Sequence, residues 1–315
     1  MNTDTLNKQP VHYCIIEKQQ ADQRIDNFLL TQLRTVPKSH IYRLLRKGEV
    51  RVNKKRIKPS YRLQENDSIR IPPLQITPQV KNYCPSDKLI TLLKNSVLFE
   101  DEDLLIINKP SGIPVHGGSG IQGGVVNALR YIYPEMKFLE LAHRLDRETS
   151  GCLILAKKRS VLREIHELLR QGKVTKIYQL LVLGRWPAEK TTVELSLLKN
   201  QIRSGERMVK VTDEGKHSIT HFKPLHYYSC ATLLEANLAT GRTHQIRVHT
   251  SYYGHPVAGD EKYGDKAFNR LTDKLGCKRL FLHAIDLSFA LDNGNRVISV
   301  HSELPSDLQK LLTAL

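Results

Sequence analysis

Prolines at positions 72, 73, 78 and 85, separated by polar residues, break the chain into two parts of unlike pattern. No regular element runs unbroken through such a stretch. The part before it is short, strongly basic and carries two helical periodicities. The part after it runs on to residue 315 and is dominated by short β-like runs. The break predicts two domains, residues 22–82 with the start of a linker and residues 88–315, each long enough to enclose a core.

In the first part Ile25, Phe28, Leu29 and Leu33 recur at helical spacing, and Pro37 closes that helix. Ser39 is placed to cap a second helix with Ile41, Leu44 and Leu45 as its buried stripe. Lys47 and then Gly48 mark its end. Val50-Arg51-Val52 alternates as a strand, Asn53-Lys54 makes a turn, and Ser68 to Ile71 supplies another strand. From Lys38 to Arg62 there are ten Lys or Arg and one acid, Glu49. Arg43, Arg46 and Lys47 fall on the side of the second helix left free by its apolar stripe, and Lys54, Lys55 and Arg56 occupy the following turn. A charge run is usually only a solvated face. Concentrated on a small module, in a chain of formal net charge +16, it favours a surface that tracks phosphates.

In the second part Leu104 to Ile107, Leu153 to Leu155, Leu180 to Leu183 and Ile246-Arg247-Val248 read as strands. Ser160 to Arg170 reads as a helix with Val161, Ile165, Leu168 and Leu169 inward. Many strands with few, irregularly placed helices predict an α+β fold around a mixed, largely antiparallel central sheet. Five cysteines lie far apart with no CxxC pair, against a zinc site or a disulfide framework. Residues 1–10 lack an apolar signal core and no apolar run is long enough to span a membrane, so a soluble cytoplasmic monomer is expected.

The densest polar cluster is His143-Arg144-Leu145-Asp146-Arg147-Glu148-Thr149-Ser150-Gly151, followed at once by the apolar strand from Cys152 to Ala156. A loop that delivers ionisable groups to the edge of a core strand suits catalysis. Positive charge from Arg144 and Arg147 favours the ionised form of Asp146. The bland alternative, a turn-forming Asp with an ion pair, fits this segment alone equally well.

"HRLDRETSG" resembles the signature of the pseudouridine synthases that modify large-subunit ribosomal RNA and some transfer RNAs. "INKPSGIPVHGG" from Ile107 to Gly118, "KIYQLLVLG" from Lys176 to Gly184, and "TGRTHQIRVH" with "GHPVAGDEKYG" from Thr240 to Gly264 resemble three further motifs of that family, in family order. The segment from Asp22 to Ile71 resembles the S4 RNA-binding domain that some branches carry. The resemblance implies Asp146 as nucleophile, Tyr178 lying against the target base and assisting proton removal, and Arg247 holding the catalytic carboxylate with both prongs of its guanidinium. It implies Arg144 entering the RNA stack, with Gly241, Arg242, Thr243 and His244 shaping the pocket or meeting phosphate. The implied partner is 23S ribosomal RNA, free or in a ribosome assembly intermediate.

Isomerising uridine breaks the C1′–N1 bond, turns the uracil and joins C5 to C1′. That needs a nucleophile for C1′ or C6, a pocket that keeps the freed base, and an acceptor for the C5 proton. No redox step or group transfer occurs, so no cofactor and no metal are expected. The glycine-rich "HGGSGIQGG" lacks the spacing of a dinucleotide cradle and reads as a turn. Among other chemistries, a methyltransferase needs a methyl-donor loop and a reactive cysteine, which the sequence does not offer. A non-catalytic RNA-binding protein leaves the four motifs unexplained.

Overall fold

The computed structural model describes residues 8–33, 36, 38–75, 83–117, 123–201 and 207–315. Two compact units divide the chain, Met1–Asn82 and Tyr83–Leu315.

The first unit runs β1 (Lys8–Gln9), β2 (His12–Ile15), α1 (Ile25–Gln32), α2 (Lys38–Lys47), β3 (Arg51–Val52), β4 (Ser68–Ile71) and β5 (Leu74–Gln75). β2, β4 and β3 form an antiparallel sheet, and β1 pairs with β5. Ile25, Phe28 and Leu29 of α1 meet Ile41, Leu44 and Leu45 of α2 over Val52, Ile69 and Ile71 in one core. That stripe leaves Arg43, Arg46 and Lys47 exposed on the opposite side of α2. Gly48 ends α2 at φ 71°, and Asn53 and Lys54 at φ 49° and 65° make the tight turn between residues 52 and 55.

Three details depart from the sequence reading. The first unit also takes in residues before Asp22, where β2 supplies an edge strand whose exposed residues, Tyr13 and Ile15, are apolar, so its sequence shows no polar–apolar alternation. Ser39 lies inside α2, which starts one residue sooner, and is not its cap. Pro72 and Pro73 do not open a linker: they stand between β4 and β5, where the ladder needs no N–H from them, and Leu74 after them is buried. α1 ends at Gln32 with the Leu33 N–H bonded to the Leu29 carbonyl. Pro37 and Pro78 lie outside the described residues.

The second unit opens with α3 (Asp87–Lys94), β6 (Val97–Glu100), β7 (Leu104–Lys109), α4 (Val125–Ile132), β8 (Glu140–Leu141), β9 (Ser150–Ala156) and α5 (Arg159–Arg170). It continues with β10 (Thr175–Leu183), β11 (Thr192–Gln201), β12 (Arg207–Val211), β13 (Lys216–Tyr227), β14 (Ala231–Leu238), α6 (Gln245–Tyr252) and α7 (Lys266–Lys274). β15 (Leu282–Leu291), β16 (Arg296–His301) and α8 (Ser306–Ala314) complete it. The sheet runs β12-β11-β13-β14-β10-β15-β9-β7-β6, with β16 on β15 and β8 on β9. Among the described residues every strand pairing is antiparallel except β15 with β9, so the fold is α+β with a mixed, largely antiparallel sheet.

β9 is buried along its whole length because both faces are covered. Leu153 and Leu155 pack toward α4, and Cys152 and Ile154 toward α5. Antiparallel pairing sets Tyr178 of β10 opposite Ala284 of β15, and the parallel pairing sets Ala284 opposite Gly151 of β9. Gly151 has φ 108°, and a β carbon there would stand 2.2 Å from the Ala284 carbonyl oxygen. Only glycine admits this approach, which ties the start of β9 to the centre of the sheet. The segment 246–248, which reads as a strand, lies in the first turn of α6. Its residues are buried nearly all round, so no apolar stripe betrays the helix, and the β-branched Ile246 and Val248 mimic a strand. Residues 118–122 of the glycine-rich turn lie outside the described residues. No described helix is long and apolar enough to cross a membrane.

Candidate active site

The loop between β8 and β9 is gripped by the turn that follows β7. The Lys109 ammonium, with no exposed surface, donates to the carbonyls of Pro110 at 2.7 Å, Ile113 at 2.9 Å and Arg147 at 3.0 Å. The Gly112 N–H donates to the same Arg147 carbonyl at 2.9 Å, and Ser111 Oγ donates to the Glu148 carbonyl at 2.6 Å. Burial pushes the Lys109 amine down to about 7, a cost that its three acceptors offset. On the other side His143 Nε2 accepts the Ile154 N–H at 3.1 Å, and burial pushes this imidazole down to about 4. The ring is therefore neutral, with its proton on Nδ1. Two backbone clamps thus fix the residues on either side of Asp146.

Asp146 lines a cleft of about 540 Å³, shared with Arg144, Lys176, Tyr178, Arg242 and Arg247. A cleft of that size suits one small ligand or a single extruded nucleotide. Its far wall is the loop from Thr240 into α6. Gln245 braces that loop: its Oε1 accepts from Thr240 Oγ1 at 2.8 Å and from the Arg242 N–H at 2.9 Å. Its amide donates to the Ile219 carbonyl and to Thr220 Oγ1, both at 2.9 Å. His244 follows at φ 54°, a left-handed conformation that costs free energy in a non-glycine residue. Its Nδ1 is 2.8 Å from Tyr263 Oη and its Nε2 is 3.8 Å from Asp146 Oδ2.

Arg247 is 5% exposed. Its Nε and Nη2 donate to the two carboxylate oxygens of Asp260 at 2.7 and 2.8 Å, and its Nη1 donates to Asp146 Oδ2 at 3.3 Å. Asp260 also accepts the backbone N–H groups of Lys262 at 2.9 Å and Tyr263 at 3.0 Å. Burial alone raises a carboxyl, but the Arg247 bonds and charge, with those two N–H groups, hold Asp260 below its ordinary 3.8.

The two-pronged grip expected on Asp146 is therefore made on Asp260, and Asp146 receives a single, longer bond. The physical reason is burial: Asp260 has no exposed side-chain surface and must be fully paired, whereas Asp146 is 18% exposed and opens to the cleft. Nor do the arginines beside Asp146 in sequence hold it. Arg147 turns to Glu148 at 3.3 Å and to the Gly112 carbonyl, while Arg144 is exposed at the cleft and makes no ion pair among the described residues.

Tyr178 is 6% exposed, and burial, reinforced by the Asp146 charge, lifts its phenol well above the ordinary range. It stands in the cleft as a neutral ring with a hydroxyl. Arg242 lines the same cleft, its Nε donating to the His217 carbonyl at 3.1 Å. The other expected contacts, Lys38, Arg43, Arg46, Lys47, Lys54, Lys55 and Arg56, are exposed on the first unit. Arg56 differs from the rest in folding back onto the Arg46 carbonyl at the end of α2, where a cation also complements the helix dipole. The sequence assigned no role to Asp260, and it placed Lys176 only among a second basic run, with Lys157, Lys158, Arg159, Arg163, Arg170 and Lys173, expected to meet phosphates. Both stand inside quoted motifs, but only their burial and their positions in the fold set them apart.

The family described as RNA pseudouridylate synthase matches residues 103–252, and the S4 domain family matches residues 23–69. The chain is 52% identical to the ribosomal large subunit pseudouridine synthase C of Pasteurella multocida, over 98% of this chain and 94% of that protein. It is 49% identical to the protein of the same name from Escherichia coli K12, over 100% of this chain and 99% of that one. Among solved structures, human RNA pseudouridylate synthase domain containing 4 superposes with a TM-score of 0.59 at 26% identity, covering 72% of this chain and 95% of that one.

Proposed function

The chain belongs to the RNA pseudouridylate synthase family and is an RNA uridine isomerase, and from that premise we propose that it acts on large-subunit ribosomal RNA with Asp146 as the nucleophile. The observation that carries this reading is the pairing of Asp146 with Arg247, 101 residues further along the chain, in a cleft that Tyr178 also lines. Three separate motifs contribute those three side chains.

Asp146 has one oxygen toward Arg247 and keeps the other for an electrophilic carbon, C1′ of the ribose or C6 of the base. Arg247 cannot leave, because Asp260 holds two of its nitrogens. Tyr178 offers a flat face to the uracil while the base turns, and its hydroxyl assists transfer of the C5 proton. A stacked uridine does not reach a carboxylate within such a cleft, so the target nucleotide is extruded at a cost of about a few kcal/mol. Phosphate contacts along the exposed cationic side of α2, and along the basic run from Lys157 to Lys176, offset that cost. Residues 22–82 serve as the RNA-binding domain and 88–315 as the catalytic domain. The compartment is that of the ribosome, the cytoplasm.

Incubating the purified protein with an unmodified large-subunit rRNA transcript, then digesting the RNA and separating nucleosides by liquid chromatography, tests this reading. Pseudouridine is the expected product. Methyluridine, free uracil or an unchanged nucleoside profile would overturn it.

A further inference from the structure

Lys176 stands two residues before Tyr178 on β10, so the two side chains share one face of the strand, about 7 Å apart along it. Both line the cleft. The Lys176 side chain is partly buried, yet among the described residues its ammonium makes no hydrogen bond and has no carboxylate within the 4 Å of an ion pair. Gly241 lies beside the ammonium: a β carbon there would stand 3.9 Å from Lys176 Nζ, and the glycine supplies no side chain to cover it. Burial lowers the Lys176 amine with no opposing contribution from any acid, and its positive charge in turn helps to keep His143 neutral.

A partly buried cation without a partner is unfavourable for folding. The neighbouring cations are otherwise engaged or more exposed: Arg170 pairs with Glu167, Arg242 donates to a backbone carbonyl, and Arg144 is exposed. Asp146 is the one acid among the described residues lining the cleft, and Arg247 is its partner. The cleft thus holds one partly buried positive charge that its own described residues leave unmatched.

We propose that Lys176, beside Gly241, is the receptor for a backbone phosphate of the RNA, the phosphodiester attached to the nucleotide whose base lies on Tyr178. The assignment rests on the reading of the cleft as the site of the extruded uridine. Phosphodiesters are the anionic groups of such a substrate, and the spacing from Tyr178 to Lys176 along the strand lies within the reach of a nucleotide from base to phosphate. Lys176 acts by binding. It holds ground state and transition state alike, so its loss is read in KM and leaves kcat in place.

The test compares the full-length wild type with Lys176→Met and Lys176→Arg on an unmodified large-subunit rRNA transcript, with kcat and KM measured across a salt series. Lys176→Met is expected to raise KM about tenfold, as the loss of one charge-assisted hydrogen bond does. It is also expected to flatten the log–log salt dependence by about 0.7, the share of one single-strand phosphate. Its thermal midpoint stays level or rises, because an unmatched charge has been removed, and Lys176→Arg restores most of both KM and slope. An unchanged KM overturns the proposal, as does a higher KM with an unchanged salt slope, which marks a contact to base or ribose. A loss confined to kcat also overturns it. A wild type that forms no pseudouridine brings down the parent reading and this one together, whereas an active wild type with a normal Lys176→Met sinks this one alone.

Discussion

Replacing Asp260 by Asn keeps the size of the side chain and removes its charge. The wild-type carboxylate accepts four hydrogen bonds, two from Arg247 and two from backbone N–H groups, with no exposed side-chain surface. An Asn keeps one oxygen for the backbone donors and turns an NH2 group toward an Arg247 nitrogen, which is itself a donor. Arg247 is then buried with only the 3.3 Å contact to Asp146 as an ionic partner. Breaking a buried pair in this way costs about 3–5 kcal/mol, and the remaining contact to Asp146 puts the expectation near the lower end, about 3 kcal/mol. The guanidinium also loses the brace that directs its third nitrogen. A displacement of roughly 1 Å at such a site lowers turnover about a hundredfold. Because Asp260 is held below 3.8, its stabilisation is complete above that value and is lost as pH falls through the lower folded value, so the variant loses less of its remaining stability in acid than the wild type does. Urea unfolding at constant slope reads the stability, and release of tritium from C5-labelled uridine in rRNA reads the turnover. A destabilisation under about 1 kcal/mol with turnover within about twofold of wild type would refute the brace.

Gly151→Ala sets a β carbon against the Ala284 carbonyl at an unfavourable φ and should cost about 3 kcal/mol or more in urea unfolding; a wild-type midpoint would show that β9 is not tied to β15 as described. Tyr178→Phe keeps the stacking face, so KM should stay within about threefold while turnover falls roughly a hundredfold or more; wild-type turnover would make the hydroxyl a bystander. The triple variant Arg43→Ala, Arg46→Ala and Lys47→Ala, exposed on α2, should flatten the salt dependence of RNA binding by up to about 2 and leave kcat unchanged; an unchanged slope would remove α2 from the RNA surface.

The basic face of α2 was legible because its period is helical and its charges fall cleanly opposite Ile41, Leu44 and Leu45. Asp146, Tyr178 and Arg247 were legible through motif resemblance, and the cleft brings them together. What stayed hidden depends on distance in space. Asp260 reads as a turn former beside glycine until the fold buries it against a guanidinium 13 residues earlier. Lys176 is one more cation in a basic run until β10 carries it into the cleft. α6 reads as a strand because a helix buried on most sides has no stripe to reveal its period. The strands β11 to β14 also went unnamed, since polar side chains interrupt their alternation, as along β13.

The most direct measurement is single-turnover tritium release by Asp146→Asn, alongside its affinity for the same rRNA. The neutral amide keeps the shape of the carboxyl group but is a far poorer nucleophile. Release should fall to background while affinity stays within a few fold of wild type. Substantial release from this variant would contradict the account at its centre, whatever the other residues of the cleft were found to do.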